Sequence, residues 1–526
     1  MDVLLHLQRS VKCYPDKPAV LDGPTRLTWS QFDERTRRLA AALAQLGVQK
    51  GDRVGVLMYN GFRYLEAFYA LPRLGAIIVP LNIRYAPAEI AFAANDCEAV
   101  ALILDEAFIP AVEKIKPELK TVRSFILNGK EKSLEGALAY EEIIETSPGW
   151  RQFEDYVPGE DDVLGLFYTG GTTGRSKGVM LTHRNMASNA LSWAIHCEVK
   201  LDSVYLHVAP MFHIADVQSI FTFTLLGAAH TFLPKFDPVQ VLEITQRERV
   251  THMGVVPTMV NLLVQVPNIG EYDLSSLVRI FFGGSPCPAE VLKKARQVLP
   301  CAVTGGYGMT ETSPGVTAMP WNELIKALEA PQDSPEAKRL VSCGWPVLGV
   351  DVRVVDDASQ EVAPGELGEI VVRGANVMKG YWKLPEESAF ALRDGWLHTG
   401  DIGTYDEQNF FYIIDRKKDM IISGGENVYS SEVENAVYSH PAVLEAAVIG
   451  VPDEKWGERV HAVIVLKPDQ QATPEEIMAK CRELIAGYKI PRSIEFVEEM
   501  PKSGAGKILK RVLRDKYWQG QTVQVH

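Results

Sequence analysis

Tyr168-Thr-Gly-Gly-Thr-Thr-Gly-Arg-Ser-Lys-Gly178 follows the apolar run Asp162-Val-Leu-Gly-Leu-Phe-Tyr168. The run reads as a buried strand, and the segment after it as a glycine-rich turn whose backbone N–H groups can face an anion. Its glycines, hydroxyls and single lysine suit a cradle for a nucleotide triphosphate. The candidate contacts are Thr169, Gly170, Gly171, Thr172, Thr173, Gly174 and Lys177. Three familiar motifs nearly fit. A nucleotide-hydrolase P-loop needs Gly-Lys-Ser/Thr, whereas the order here is Lys177-Gly178. Gly174-Arg-Ser-Lys-Gly178 has the spacing of a nucleophile elbow, but that motif turns from strand directly into helix. Here Gly-Gly-Thr-Thr separates the strand from Ser176, and Val179-Met-Leu181 reads as extended chain. The dinucleotide fingerprint G-x-G-x-x-G is missing from this loop.

Composition sets outer bounds. At 526 residues the chain exceeds one ordinary core and should divide into two or more domains. With 46% hydrophobic and 23% charged residues it reads as an ordinary globular protein. A formal net charge of -13 argues against a nucleic-acid partner, so an anionic ligand must be held by local groups. Cys13, Cys97, Cys197, Cys287, Cys301, Cys343 and Cys481 form no Cys-x-x-Cys pair. They suggest neither a zinc site nor a disulfide framework and read as reduced, buried small residues. Val3-Leu-Leu5 is too short for a secretory signal, and no apolar stretch approaches the ~20 residues of a membrane span. A cytoplasmic protein without a transmembrane segment is expected.

Short β-branched strands alternate with helical periods through the first three hundred residues. Residues 53–58, 99–104, 251–256 and 279–282 are examples of the strands, and residues 29–46 of the helices. That alternation implies parallel sheets covered by helices. From about residue 344 the texture changes. Val350-Asp-Val-Arg-Val-Val355 and Gly368-Glu-Ile-Val-Val-Arg373, separated by Asp, Pro and Gly, read as an antiparallel β subdomain over about 344–415. Residues 327–340 read as a solvated helix and loop. A compact pattern follows Lys418: a helix at 431–438, strands near 446–449 and 460–466, and a helix at 473–486. The expected division is 1–417 and 418–526, with a short joint that can rotate.

The glycine-rich loop resembles the phosphate-binding signature of the adenylate-forming superfamily, which includes acyl-CoA synthetases, aryl-CoA ligases, luciferases and peptide-synthetase adenylation domains. Further stretches occur in that family's order and spacing: Gly306-Tyr-Gly-Met-Thr-Glu-Thr312, Thr399-Gly-Asp401, Asp415-Arg-Lys-Lys-Asp419 with Gly424-Gly-Glu-Asn427, and Pro501-Lys-Ser-Gly-Ala-Gly-Lys507. The resemblance covers essentially the whole chain. It departs from the commonest loop pattern at Gly170, usually serine, and Ser176, usually proline; neither change removes a phosphate-binding group.

The resemblance implies an α/β fold: a large N-terminal domain of two parallel-type sheet subdomains plus an antiparallel β subdomain, and a small mobile C-terminal α+β domain. It implies ATP, Mg2+ and CoA as ligands and a residue-by-residue site. Lys507 corresponds to the adenylation lysine, bringing positive charge where carboxylate and α-phosphate meet. Glu311 would ligate Mg2+, a hard cation that prefers oxygen, and Thr310 would contact the α-phosphate. Tyr307, Gly284 and Ser285 would lie along the adenine. Asp401 would accept the ribose hydroxyls, with Arg416 as a second ribose or phosphate contact. Lys418 maps to the hinge, and Gly424, Gly425 and Glu426 to the CoA channel. His213, in Pro210-Met-Phe-His213, resembles an aromatic gate beside the acyl carbonyl; a satisfied core histidine is the other reading. Gly283, Gly306, Gly308 and Met309 would line the acyl pocket with His213.

The expected activity is formation of an acyl-adenylate and transfer to CoA, giving acyl-CoA, AMP and pyrophosphate. Small residues in the acyl region suit a medium- or long-chain fatty acid or another hydrophobic acid. The lack of charge there, and the expectation that no carrier domain follows residue 526, argue against a peptide-synthetase module. Three alternatives stand beside this reading. They are delivery of the acyl group to an amine or amino acid, a non-catalytic nucleotide-binding relative, and a hydrolase acting through Ser176. Oligomeric state is not read from the sequence, a homodimer being one arrangement open to it.

Overall fold

The computed structural model describes residues 1–131, 133–147, 150–169, 176–285, 287–331, 334–453, 455–502 and 508–519. It divides into two compact units, Met1–Val352 with Val372–Leu397, and Arg353–Val371 with His398–His526.

The first unit is built on two large sheets. An eight-stranded sheet runs in the order Gly380–Tyr381, Lys177–Thr182, Val163–Thr169, Ile77–Pro80, Arg53–Leu57, Ala99–Asp105, Ser124–Asn128, Ala137–Ala139. Its middle is parallel, as expected of strands that read as continuous apolar runs. Helices on the sheet faces bury both sides of such strands. The Ala99–Asp105 strand is buried along all but its last residue. A nine-stranded sheet is likewise parallel from Pro18–Asp22 to Ala302–Gly308. Both sheets turn antiparallel where the singled-out motifs lie. Val163–Thr169 pairs antiparallel with Lys177–Thr182, and Ala302–Gly308 with Gly315–Ala318.

The helices follow from spacing and caps. In the Trp29–Gln45 helix, Trp29, Phe32, Thr36, Leu39, Ala40 and Leu43 fall on one buried face at the three-and-four spacing of an amphipathic helix. Thr28 and Gln31 close a capping box at its start. Thr182 and Asn185 do the same for His183–His196, fixing where the second strand of the motif hairpin ends. The crossover helices of the two sheets meet through rings: Phe68 and Tyr69 of Phe62–Arg73 pack edge-on against Phe221 of Ile214–Leu226.

A four-stranded sheet runs Val350–Val355, Gly368–Gly374, Leu397–Tyr405, Phe411–Arg416, and in the second unit a five-stranded sheet is centred on the long hairpin Val443–Asp453 and Gly457–Leu466. Alternate side chains of that hairpin face opposite ways. Val448, Val460, Ala462 and Ile464 pack with the helices Ser430–Tyr438 and Pro474–Arg482. Ala447, Ile449, Val451 and Val463 pack with Leu513 of Lys510–Trp518. One hairpin thus serves two helix layers.

One expectation needs correction. Cys97, Cys197, Cys287, Cys301 and Cys481 are buried, but Cys13 is exposed and Cys343 half-buried. The Leu4–Cys13 helix turns Leu4, His6, Leu7 and Ser10 inward and leaves its last residue in solvent. Among the described residues no helix is long and apolar enough to cross a membrane.

Candidate active site

Thr169 and Lys177 pair directly across the antiparallel hairpin. Gly170, Gly171, Thr172, Thr173 and Gly174, placed in the phosphate loop by sequence, lie outside the described residues. Ser176 is followed directly by the strand Lys177–Thr182. The strand-to-helix turn a nucleophile elbow requires is therefore not the local geometry.

The half-buried Lys177 begins that strand, and its Nζ stands 5.1 Å from the centre of the Tyr381 ring. The Tyr381 hydroxyl donates to Glu311 Oε1 at 2.9 Å. Burial, reinforced by the Glu311 carboxylate, raises the Tyr381 phenol above its ordinary value; it remains a donor at neutral pH. Glu311 is buried on the single turn Thr310–Thr312, directly after the strand that carries Tyr307.

A stretch of chain from 375 to 382 holds this turn. Asn376 Nδ2 donates to the carbonyls of Thr312 (3.0 Å) and Gly315 (2.6 Å), and the Ser313 hydroxyl donates to the Asn376 carbonyl at 2.8 Å. The Met378 N–H donates to the Glu311 carbonyl at 2.8 Å. On its other side the stretch is bound to the hairpin. Asn185 Nδ2 donates to the carbonyls of Ala375 and Val377. The Lys379 and Trp382 N–H groups reach the carbonyls of Met180 and Gly178, and Tyr381 lies opposite Val179 in strand register. Lys177 and Glu311, singled out separately in the sequence, are thereby joined. The joining residues Asn376, Met378 and Tyr381 were not anticipated, and no local signal marks them.

The glycines assigned to the acyl pocket have mixed explanations. A Cβ on Gly308 would stand 1.5 Å from the Pro314 carbonyl oxygen and one on Gly306 2.6 Å from that of Thr317. Both are small because the backbone of residues 314–318 passes too close for any side chain. Gly283 meets nothing nearer than 3.8 Å and does leave room. Gly284 and Ser285 are exposed beside it, and Met309 is half-buried. His213 is half-buried and caps the Ile214–Leu226 helix, its Nδ1 accepting from the Ala215 N–H at 3.2 Å. The loop before it is pinned by Asn60, which accepts from the Met211 N–H and donates to the carbonyls of His207 and Ala209.

In the second unit the Thr399-Gly-Asp401 segment of the strand Leu397–Tyr405 is held by Glu369, whose Oε1 accepts the Gly400 N–H at 3.0 Å, and by Thr399, which donates to the Ile370 carbonyl at 2.7 Å. Asp401 is buried, lies opposite Arg416 in strand register and receives its Nε at 3.2 Å. Two residues on, burial together with the Arg416 charge lowers the Lys418 ammonium to about 8. Arg514 donates to the Lys418 carbonyl (2.8 Å) and to Asp419 Oδ1 (3.1 Å). Gly424 and Gly425, both with positive φ, form the two-residue turn between Ile421–Ser423 and Glu426–Val428. A Cβ on Gly424 would stand 2.6 Å from the Trp456 ring, which also carries the Lys455 and Arg492 cations on its faces. Lys507 lies outside the described residues.

A magnesium ion bound with nucleotide phosphates needs few protein ligands, because it keeps water and phosphate oxygens around it. Glu311, a carboxylate oriented by Tyr381, fits that requirement.

Residues 7–382 match the family model described as AMP-binding enzyme, and residues 432–507 that of the AMP-binding enzyme C-terminal domain. A feruloyl-CoA synthase from Amycolatopsis is 39% identical over 515 residues, 97% of this chain and 98% of that one. A long-chain-fatty-acid–CoA ligase from Bacillus subtilis is 35% identical over 97% of this chain and 93% of that one. Among solved structures, the o-succinylbenzoate CoA synthetase of Bacillus subtilis, in complex with its acyl-adenylate intermediate, superposes with a TM-score of 0.85 at 30% identity. That match covers 97% of this chain and 98% of the other.

Proposed function

The chain belongs to the AMP-binding enzyme family, and on that premise we propose that it activates a hydrophobic carboxylic acid, either a medium- or long-chain fatty acid or an aryl acid. It is an AMP-forming acid–thiol ligase, working through an acyl-adenylate. In the first half-reaction a carboxylate oxygen bonds to the α-phosphorus of ATP and pyrophosphate leaves. In the second, the CoA sulfur bonds to the acyl carbon, its proton is released, and AMP leaves.

The observation that carries the residue-level reading is the connection of Lys177 to Glu311 through Tyr381. It gathers a cation and a metal-binding carboxylate next to the motif hairpin, as polyphosphate binding requires. Glu311 holds Mg2+, which neutralises phosphate charge when bound. Lys177 and Thr169 contact phosphate at the ends of the glycine-rich loop, Thr310 meets the α-phosphate, and Tyr307, Gly284 and Ser285 flank the adenine. Asp401 accepts the ribose hydroxyls, its carboxylate fixed by Arg416. Lys507 brings charge to the reacting carboxylate. Lys418 is the hinge on which residues 418–526 turn after adenylation, bringing Gly424, Gly425 and Glu426 to the CoA channel. Gly283, where an added Cβ would meet nothing nearer than 3.8 Å, and the uncharged Met309 support a hydrophobic acyl group.

The test is mass spectrometry of products after incubation with ATP, magnesium, a panel of aliphatic and aromatic acids, and either CoA or free amines. The expected outcome is AMP with one hydrophobic acyl-CoA in excess. An amide with no thioester would move the acceptor to an amine, and failure to form AMP with any acid would overturn the proposal.

A further inference from the structure

We propose that Tyr381 is the positioning residue of the nucleotide site, serving Glu311 through its hydroxyl and Lys177 through its ring. This rests on the reading of Glu311 as the magnesium ligand and Lys177 as a phosphate contact, and adds what sets both of them in place.

The geometry separates the two duties. The hydroxyl donates to Glu311 Oε1 at 2.9 Å, which fixes the carboxylate rotamer and leaves the ring unaffected. The ring faces Lys177 Nζ at 5.1 Å, within the range where the aromatic quadrupole attracts a cation. The backbone of Tyr381 is itself fixed. It lies opposite Val179 in the sheet, and its N–H donates to the Ser388 Oγ at 2.8 Å. A tyrosine so anchored does not follow the carboxylate; the carboxylate follows it. Groups that orient a metal ligand are worth about 10- to 100-fold in metal affinity or activity when removed. Lys177, on the other hand, loses a lysine's customary freedom: its ammonium is drawn to the ring before any phosphate arrives, which lowers the ordering cost of binding.

Two substitutions resolve the duties. Tyr381→Phe removes the hydroxyl and keeps the ring; Tyr381→Leu removes both. ATP binding to the full-length protein is measured by calorimetry, without acid or CoA so that no turnover occurs, once in EDTA and once with saturating magnesium. In the unaltered protein magnesium is expected to tighten ATP binding. Tyr381→Phe is expected to lose about tenfold of that tightening while binding ATP in EDTA as before. Tyr381→Leu is expected to lose the same tightening and, in addition, to bind ATP more weakly in EDTA. A thermal unfolding scan of each variant separates these effects from general destabilisation, which would weaken both conditions alike. Glu311→Gln serves as the reference. If it abolishes the magnesium effect while Tyr381→Phe keeps it in full, the role of the hydroxyl is refuted and that of Glu311 stands. If Glu311→Gln itself keeps the magnesium effect, the underlying reading of Glu311 falls and the proposal with it. If Tyr381→Leu matches Tyr381→Phe in EDTA, the ring has no part in holding Lys177.

Discussion

Arg416 Nε lies 3.2 Å from Asp401 Oδ1, and the same two residues stand opposite each other in the pairing of their strands. Backbone register and side-chain charge agree on one geometry, so the carboxylate is oriented before a ligand is present. Asp401→Asn keeps the shape and removes the charge. Hydrogen bonds to a charged group are worth roughly 1.5–3 kcal/mol, so kcat/KM for ATP should fall by about 10- to 100-fold. Pyrophosphate exchange at varied ATP checks this, and unchanged ATP kinetics would remove Asp401 from the ribose.

Lys507 and Ser176 predict opposite hierarchies. Lys507→Ala should lower acyl-adenylate formation by about a hundredfold or more, the usual scale for removing a group aimed at developing charge. Ser176→Ala removes one hydroxyl from the edge of the strand Lys177–Thr182, and a severalfold loss at most is expected. Single-turnover AMP formation compares them. A dead Ser176→Ala beside an active Lys507→Ala would revive the hydrolase reading.

His213 is a helix cap whether or not it also meets the acyl group. His213→Ala should cost about 1 kcal/mol of stability, the ordinary value for a lost cap, and His213→Asn should restore it, since asparagine caps well. Urea unfolding reads the stability. Acyl-CoA formation by the stable His213→Asn variant then isolates the gate. Wild-type turnover in that variant would leave His213 with capping alone.

His252 sets a pH response. Burial lowers its imidazole from 6.5 to about 4, and in the neutral ring both nitrogens are engaged, Nδ1 with Thr251 Oγ1 and Nε2 with the Cys197 carbonyl. Between those two values the unfolded chain carries a proton that the folded chain refuses. The unfolded state therefore binds more protons, and stability falls as pH drops from 6.5 toward 4. His252→Gln should flatten the fall in unfolding midpoint over that window, and an unchanged slope would exclude His252 as a contributor.

Much of the architecture could be read in advance because it rests on local period. The strands expected at 99–104 and 279–282 and the helix at 29–46 appear as Ala99–Asp105, Arg279–Phe282 and Trp29–Gln45. The hairpin of the second unit was underestimated, with strands near 446–449 and 460–466 against Val443–Asp453 and Gly457–Leu466. Both its faces are covered, so no alternation of polar and apolar residues marks its length, and Gly450, Pro452 and Glu458 interrupt the β-branched run. The helix expected at 473–486 stops at Arg482, beyond which Glu483, Leu484 and Ile485 close turns onto Lys480 and Cys481. At the candidate site, motifs exposed residues that form contiguous patterns. Tyr381 and Asn376 escaped because their partners lie 70 and 64 residues away. Glu369 escaped for the same reason, set 31 residues from the segment it holds.

The stretch from 375 to 382 also bears on synthesis. It leaves the ribosome after both the glycine-rich loop and Glu311, yet it supplies the Met378 N–H and the Tyr381 hydroxyl that Glu311 receives. A nascent chain interrupted before residue 375 would carry the glycine-rich loop and Glu311 but lack the N–H and hydroxyl groups that set Glu311 in place. The geometry around Glu311 is therefore completed only once the chain has been made as far as Trp382.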